Sequence, residues 1–405
     1  MSIGPLLGYI FMATVPISFY VFQGKRFTVF GMTSPEIVMI IILFYSIIVL
    51  ALKLKTFYFN LLDWITILFV FFSLIPVIIS ADDLYIAARD YRHLFLTPLF
   101  AYILLQICFD KVKQMNIALL ISAVILIIGT LPTFPYYLKT GSRLESGFNV
   151  ITIAIMCSWY VLMLYFTKDD VSNTIYKWIN YLLLLYMLMI IFFIGSRAVI
   201  SGFVISYIFS FFILKKKLYQ NLFLIFIVVG IFSFYFSLMF LDENLIRVDK
   251  VMTEDYREVS HSIFRITSIE HWTYDLKIRL SIWKKAFFIG LENPLFGAGA
   301  AAYRSLHLST PHNIFLSIFL TSGVLGVLTF LILIVNSYLT FFSFNNLKNY
   351  PQITKFFFIS FSVLLFVGAT NDFSAGRYLL FFILLSAIST AKKLSIKDIN
   401  INNRR

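Results

Sequence analysis

The chain alternates long apolar runs with short polar connectors. Twelve runs approach the roughly 20 residues a helix needs to cross a ~30 Å hydrocarbon core. They are 5–23, 35–52, 62–80, 94–109, 116–138, 148–166, 178–195, 197–214, 221–241, 312–337, 354–371 and 376–391. The seventh and eighth run together, with Arg197 the one charge between 178 and 214. A single helix of that length would extend about 55 Å at 1.5 Å per residue, too long for one crossing. The run is expected to break at Gly195-Ser196-Arg197, where Gly permits a turn and Ser can cap the next helix. The predicted fold is an all-α polytopic membrane protein with about 12 transmembrane helices. It divides into helices 1–9 over 1–241, a long loop over 242–311, helices 10–12 over 312–394, and a polar, frayed tail over 395–405.

The loop over 242–311 carries its own periodic pattern. Leu276, Leu280, Trp283, Phe287 and Leu291 fall on one helical stripe, which predicts an amphipathic helix ending near Asn293-Pro294. Arg279 lies beside that stripe, one turn before Trp283. Gly297-Ala298-Gly299 follows, a weak phosphate signal and a ready source of backbone freedom. Ser309-Thr310-Pro311-His312-Asn313 then leads into the tenth apolar run. Thr310 is the expected N-cap and Pro311 the first helical residue, which would put His312 in the first turn.

Composition narrows the class further. The chain is 60% hydrophobic and 13% charged, with 47 Phe among its 405 residues. Soluble domains carry about 25% charged residues, so a soluble enzyme, a secreted disulfide scaffold and a nucleic-acid binder are excluded. Cys108 and Cys157 both sit in apolar runs and read as small hydrophobes. The net charge of +13 is a matter of topology rather than of nucleic acid. With the N-terminus inside, the cytoplasmic segments hold 16 basic residues. The short outer loops hold eight, which favours both termini in the cytoplasm. The first run has no basic residue ahead of it and reads as a retained span rather than a cleaved signal.

The two cations are sorted unequally. Eleven of the 13 Arg fall on the outer side, whereas the inner segments use 14 Lys and two Arg. Net charge alone does not distinguish them. The guanidinium fork, which binds phosphate and carboxylate in two places at once, does. An anionic partner outside explains the bias, and so does pairing with loop acids or head groups. Arg197 stands apart, at a membrane boundary and a helix start, with no acid nearby in sequence. His312, at the start of a helix, is expected to be neutral and able to accept a proton; hydrogen bonding to a loop carbonyl would equally explain it. His93, His261, His271 and His307 show no metal-ligand spacing. Asp82-Asp83 is a weak candidate for an outer metal, and no cofactor is expected.

In order along the chain, Gly195-Ser196-Arg197, Arg279-Leu-Ser-Ile-Trp283, Asn293-Pro-Leu-Phe-Gly-Ala-Gly299, Pro311-His312-Asn313 and Gly323-Val-Leu-Gly326 resemble the O-antigen ligase and polymerase superfamily. These are bacterial membrane glycosyltransferases using lipid-pyrophosphate-linked glycans. The His312-to-Gly323 spacing is similar to the H-x10-G pattern of the ligases. The resemblance covers about a third of the chain. It implies a GT-C-type fold and a periplasmic loop between spans nine and ten. It also implies metal-independent, inverting transfer from undecaprenyl-pyrophosphate to a lipid A–core hydroxyl at the periplasmic face of the bacterial inner membrane. By position, Arg197 and Arg279 match the arginines that bind pyrophosphate and His312 the essential histidine; Arg143, Arg304 and Arg377 are possible secondary contributors. A polysaccharide polymerase, with a second lipid-linked glycan as acceptor, remains an alternative. A transporter or flippase fits less well, since the spans are almost free of charge at mid-depth.

Overall fold

The computed structural model describes residues 3–17, 21–22, 25–26, 28–29, 32–51, 59–79, 84–131, 150–167, 174–194, 198–205, 269–299, 311, 313–345, 351–370 and 375–402. Twelve α-helices can be followed among them. They are α1 (Ile3–Ile17), α2 (Ser34–Ala51), α3 (Leu61–Ile79), α4 (Leu84–Tyr91), α5 (Thr97–Cys108) and α6 (Val112–Thr130). Then come α7 (Val150–Thr167), α8 (Thr174–Ile194), α9 (Ile269–Glu292), α10 (Ile314–Asn345), α11 (Pro351–Thr370) and α12 (Ala375–Asn402). Two antiparallel ladders of two residues each, Val21–Phe22 with Lys25–Arg26 and Thr28–Val29 with Met32–Thr33, lie between α1 and α2 in the chain.

Among the described residues three helical stretches are long and apolar enough to cross a membrane: Leu61–Ile79, Leu84–Cys108 and Ile314–Phe341. Side-chain exposure is of the same kind. On α2, Met39, Ile42 and Val49 are buried, while Ile41, Phe44 and Ile48 are 54%, 65% and 56% exposed. A helix apolar on both faces suits lipid on one side and protein on the other. Hydroxyls inside such helices bond back to their own backbone, as from Thr66 to the Leu62 carbonyl at 2.7 Å and Ser73 to Phe69 at 2.9 Å.

The chain forms two compact units. One comprises 1–12, 35–118 and 275–405, the other 13–34 and 119–274. In the second unit α7 is buried all round from Thr152 to Leu164. Its Tyr160 hydroxyl donates to Ser122 Oγ at 2.7 Å. There α8 ends at Ile194 and helix is resumed over 198–205; Gly195, Ser196 and Arg197 lie outside the described residues, as does the whole ninth span.

The first unit has two distinct ends. At one, the start of α3 meets the end of α5 and the middle of α12, through Asp63, Gln106, Ser389 and Lys393. At the other lie the end of α3, the starts of α5 and α12, and the first turn of α2, where Thr97 Oγ1 lies 3.5 Å from Glu36 Oε1. Aromatic rings fill the space between. Phe330 stands 5.4 Å from Phe69 and 5.7 Å from Phe381, and Phe95 stands 5.2 Å from Tyr378.

Several helices depart from the sequence expectation. The fourth apolar run is helical from Leu84, ten residues before its expected start at 94, because a π-helical turn, Arg92–Leu96, joins α4 to α5. The helix of the fifth run is described to Thr130, and the rest of the expected span, 132–138, lies outside the described residues. The last helix continues to Asn402, through most of the tail expected to fray. Tenth is the largest change. Gly323 sits at φ 62° and ψ −163° inside α10. The Phe315 and Phe330 rings lie only 5.8 Å apart, although 15 residues of straight helix would separate them by about 22 Å. The segment is therefore a hairpin: a short arm over 314–322 folds back against a long arm over 324–345.

Candidate functional site

The hairpin bend is held by a backbone clasp. Residues following α9 run beside it and supply the hydrogen bonds that Gly323 interrupts. Ala298 N donates to the Leu320 carbonyl at 2.7 Å and Gly299 N to Thr321 at 3.1 Å. In return Val324 N reaches the Pro294 carbonyl at 2.8 Å and Leu325 N reaches Leu295 at 3.4 Å. Irregular backbone within an apolar region persists only where its polar groups find partners in this way. Glycine is required on both sides. A Cβ on Gly297 would lie 2.6 Å from Gly323 N, and one on Gly323 would lie 2.4 Å from the Leu295 carbonyl carbon. Gly299 fixes the level of the clasp against α3, its Cβ position 3.2 Å from the Pro76 carbonyl oxygen. The motifs Asn293–Gly299 and Gly323–Gly326, distant in sequence, are thus two halves of one structure.

The clasp anchors α9, whose circumference divides into three arcs. Ala286 and Gly290 pack on the short arm of α10, where the Phe287 ring also stacks on Phe319 at 5.8 Å. Arg279 and Trp283 lie on this inner arc and are half-buried. Leu280, Phe287 and Leu291 form a second, exposed apolar arc, at 51%, 45% and 47% exposure. Ser281, Lys285 and Glu292 form a third, polar one. The amphipathic helix was legible in the sequence; of its apolar stripe, Leu280, Phe287 and Leu291 are exposed, whereas Trp283 lies on the inner arc. The packing face uses small residues, Ala286 and Gly290, because the short arm presents bulky Phe319 there. Cysteines introduced at Phe287 and Lys285 should separate the two outer arcs. We expect a water-soluble maleimide to label Lys285→Cys freely and Phe287→Cys at least several-fold more slowly in vesicles; equal labelling would place both arcs in water.

Trp283 connects α9 to the segment before α10, its indole Nε1 donating to the Pro311 carbonyl. Asn313 caps α10, its Oδ1 accepting from Phe315 N at 3.0 Å and Leu316 N at 3.2 Å. The helix thus begins at Ile314, later than the Thr310-Pro311 expectation. Asn offers a side-chain oxygen at the position where two free N–H groups converge, the role of an N-cap. His312 lies outside the described residues, between Pro311 and Asn313 in sequence. Arg143, Arg197 and Arg304 also lie outside them. Arg377 is buried in the first turn of α12, next to Tyr378, which packs on Phe95 of the π turn. Of the six residues singled out from sequence, the structure therefore describes Arg279 and Arg377, both in the first unit.

Residues 182–331 match the O-antigen ligase family model. The matched stretch takes in α8, α9, the clasp and the α10 hairpin, and includes Arg197, Arg279 and His312. It supports the O-antigen ligase superfamily for this chain, and with it a membrane transferase of ligase or polymerase type. Arg143 and Arg377 lie outside it. No curated protein matches the chain.

Two centres of charge had escaped the sequence reading. Asp63 and Lys393 form a buried ion pair at the α3 start, and Glu36 pairs with His93 at the opposite end. Each partner lies more than 50 residues away in sequence, beyond the reach of any local pattern.

Proposed function

We propose that this protein is an O-antigen ligase-type glycosyltransferase. It moves a glycan from undecaprenyl-pyrophosphate to a lipid A–core hydroxyl at the periplasmic face of the bacterial inner membrane. Both termini are cytoplasmic, the chain spans the membrane about 12 times, and 242–311 is the periplasmic loop. The observation that carries this reading is the Trp283–Pro311 hydrogen bond. It ties the carrier of Arg279, one turn away on the same arc, to the residue preceding His312.

The chemistry suits those groups. The acceptor oxygen attacks C1 of the donor sugar from the face opposite the leaving group. The C1–O bond to the pyrophosphate breaks, and the pyrophosphate departs with that oxygen and the electron pair. Arg197 and Arg279 stabilise the charge that develops on it, which fixed guanidinium groups do without a metal. His312 takes the acceptor's proton as general base. Arg143, Arg304 and Arg377 are secondary candidates for holding glycan or phosphate.

Purified protein would be given undecaprenyl-pyrophosphate glycan and lipid A–core in detergent, and the products run on a gel. A single shifted lipid A–core band is expected. A ladder of lengthening glycan formed without lipid A–core would make the enzyme a polymerase, and no product in either arm would reject transfer. His312→Ala should cut the rate about a hundredfold or more, the usual contribution of a positioned base, while the protein still inserts; wild-type turnover would remove His312 from the mechanism. Arg279→Lys should remain impaired, since it keeps the charge and loses the fork. Full activity in that variant would reduce Arg279 to a generic cation.

A further inference from the structure

We propose that Glu36, Arg92 and His93 form a second ligand site, one that takes a phosphorylated sugar. Arg92 holds the phosphate, and His93 Nε2 accepts a hydrogen bond from a neighbouring sugar hydroxyl. The proposal rests on the transferase reading only for which substrate brings that sugar.

The geometry of the three side chains fixes their hydrogens. Arg92 Nη2 lies 3.0 Å from His93 Nε2. A guanidinium has no acceptor, so it must donate, and Nε2 must carry a lone pair. The imidazole proton therefore sits on Nδ1, 3.1 Å from Glu36 Oε1, and is donated to that carboxylate. A buried carboxylate, an Nδ1–H imidazole and an Nε2 lone pair, here taken up by Arg92, make up an oriented acceptor. Glu36 is only 7% exposed, at the N-terminus of α2, where the helix dipole favours its charge. The His93 side chain is 31% exposed and Arg92 is open to the surroundings.

Two further observations point to a ligand. Arg89, one turn earlier, is engaged by Asp90 at 3.6 Å. The described contact of Arg92 is instead a neutral nitrogen, which leaves its positive charge intact for an anion. The backbone carrying both residues is the π turn Arg92–Leu96, a form that recurs at functional sites because it widens the helix and re-aims side chains. The turn is rigidly seated, with Phe95 against Phe69, Tyr91 and Tyr378, and the Tyr91 hydroxyl on the Val70 carbonyl at 2.9 Å. It therefore sits at the same end of the first unit as Arg377 and the clasp. An anion drawing Arg92 toward itself uncovers Nε2, so phosphate and hydroxyl are recognised together and neither alone suffices.

The chain holds five His, so 15N-imidazole labelling gives a readable spectrum. His93→Gln assigns the His93 signals. The expected result is an Nδ1–H tautomer whose Nε2 resonance shifts on titration with glucose 6-phosphate. Glucose or inorganic phosphate should shift it at least several-fold less at the same concentration, and Arg92→Gln should abolish the response. An Nε2–H tautomer, or a response to glucose 6-phosphate no larger than to phosphate, would overturn the proposal. These spectra need no turnover, so they stand or fall apart from the transfer assay. Where transfer is measured, His93→Gln should raise one KM about tenfold and leave kcat within a factor of about two. A raised acceptor KM identifies the acceptor as the source of the phosphorylated sugar, and a raised donor KM identifies the donor. A kcat loss with both KM values unchanged would count against a binding site.

Discussion

Gly323→Ala should destabilise the protein by about 4 kcal/mol or more and open the clasp. Its backbone, at φ 62° and ψ −163°, lies in a region essentially reserved for glycine, where another residue costs about 1–3 kcal/mol. The new Cβ would also lie 2.4 Å from both the carbon and the oxygen of the Leu295 carbonyl and 2.6 Å from Phe296 N. Those are backbone atoms and cannot swing aside. Relief requires the 293–299 segment to move off the hairpin, which breaks the four backbone hydrogen bonds between them, each worth about 1 kcal/mol. Gly299→Ala provides a graded comparison. It shares a positive φ of 89°, but its nearest neighbour stands at 3.2 Å, so the loss should be smaller. The measurement is thermal unfolding of detergent-purified variants together with limited proteolysis around 293–299. Gly323→Ala with wild-type stability and wild-type cleavage would show that the bend is not held as described. Transfer should fall with it, since the clasp sets where α9, and with it Arg279, stands relative to the short arm.

The glycines illustrate what a sequence does and does not disclose. Gly297, Gly299 and Gly323 stood out as motif positions, and Asn293-Pro294 correctly marked the end of α9. Their common purpose stayed hidden, because local patterns carry no sign that two segments 25 residues apart will share a backbone ladder. Hydropathy alone made 312–337 one rod, since an apolar hairpin and an apolar span have the same composition. The backbone of Gly323 and the Phe315–Phe330 contact separate them. The helices themselves were legible within a few residues wherever polar connectors bound them, as for α2, α3, α7 and α11. Where an amphipathic stretch abutted an apolar run, as at Leu84, the hydropathy window stopped and the helix continued. Which way the stripe of α9 faces was not legible for a similar reason. Period 3.6 shows that a stripe exists, and in a chain with lipid on one side the stripe need not face the core. Arg279 was placed beside the stripe in sequence and is beside it in space, which put it on the inner arc.

Asp63→Ala should be among the most damaging single substitutions in the chain, at about 3–5 kcal/mol, the usual effect of removing one partner of a buried ion pair. Asp63 is fully buried and collects five donors. Its Oδ1 accepts from Ser389 Oγ at 2.6 Å, from Gln106 Nε2 at 3.0 Å and from the Tyr102 hydroxyl. Its Oδ2 receives Asn60 N at 2.7 Å and Lys393 Nζ at 2.8 Å. One carboxylate therefore joins α3, α5 and α12, and alanine takes the acceptor from all five donors at once. Lys393→Met should be milder, because Asp63 would keep four of its donors and Lys393 lies partly at the surface, 12% exposed. The pairing also predicts a sign that simple loss of packing does not. Restoring apolar volume on both sides, as Asp63→Leu with Lys393→Met, should recover part of the stability lost in Asp63→Leu alone, because the stranded ammonium is gone. A double variant as unstable as the sum of the two singles would mean that the two charges do not couple. Transfer chemistry should survive in whatever fraction of each variant stays folded, since neither Asp63 nor Lys393 is among the residues assigned to the transfer. A selective loss of turnover in well-folded Lys393→Met would instead couple the ion pair to the transfer site. That result would require a movement of α12, which runs from the buried Arg377 to Lys393, as the link between them.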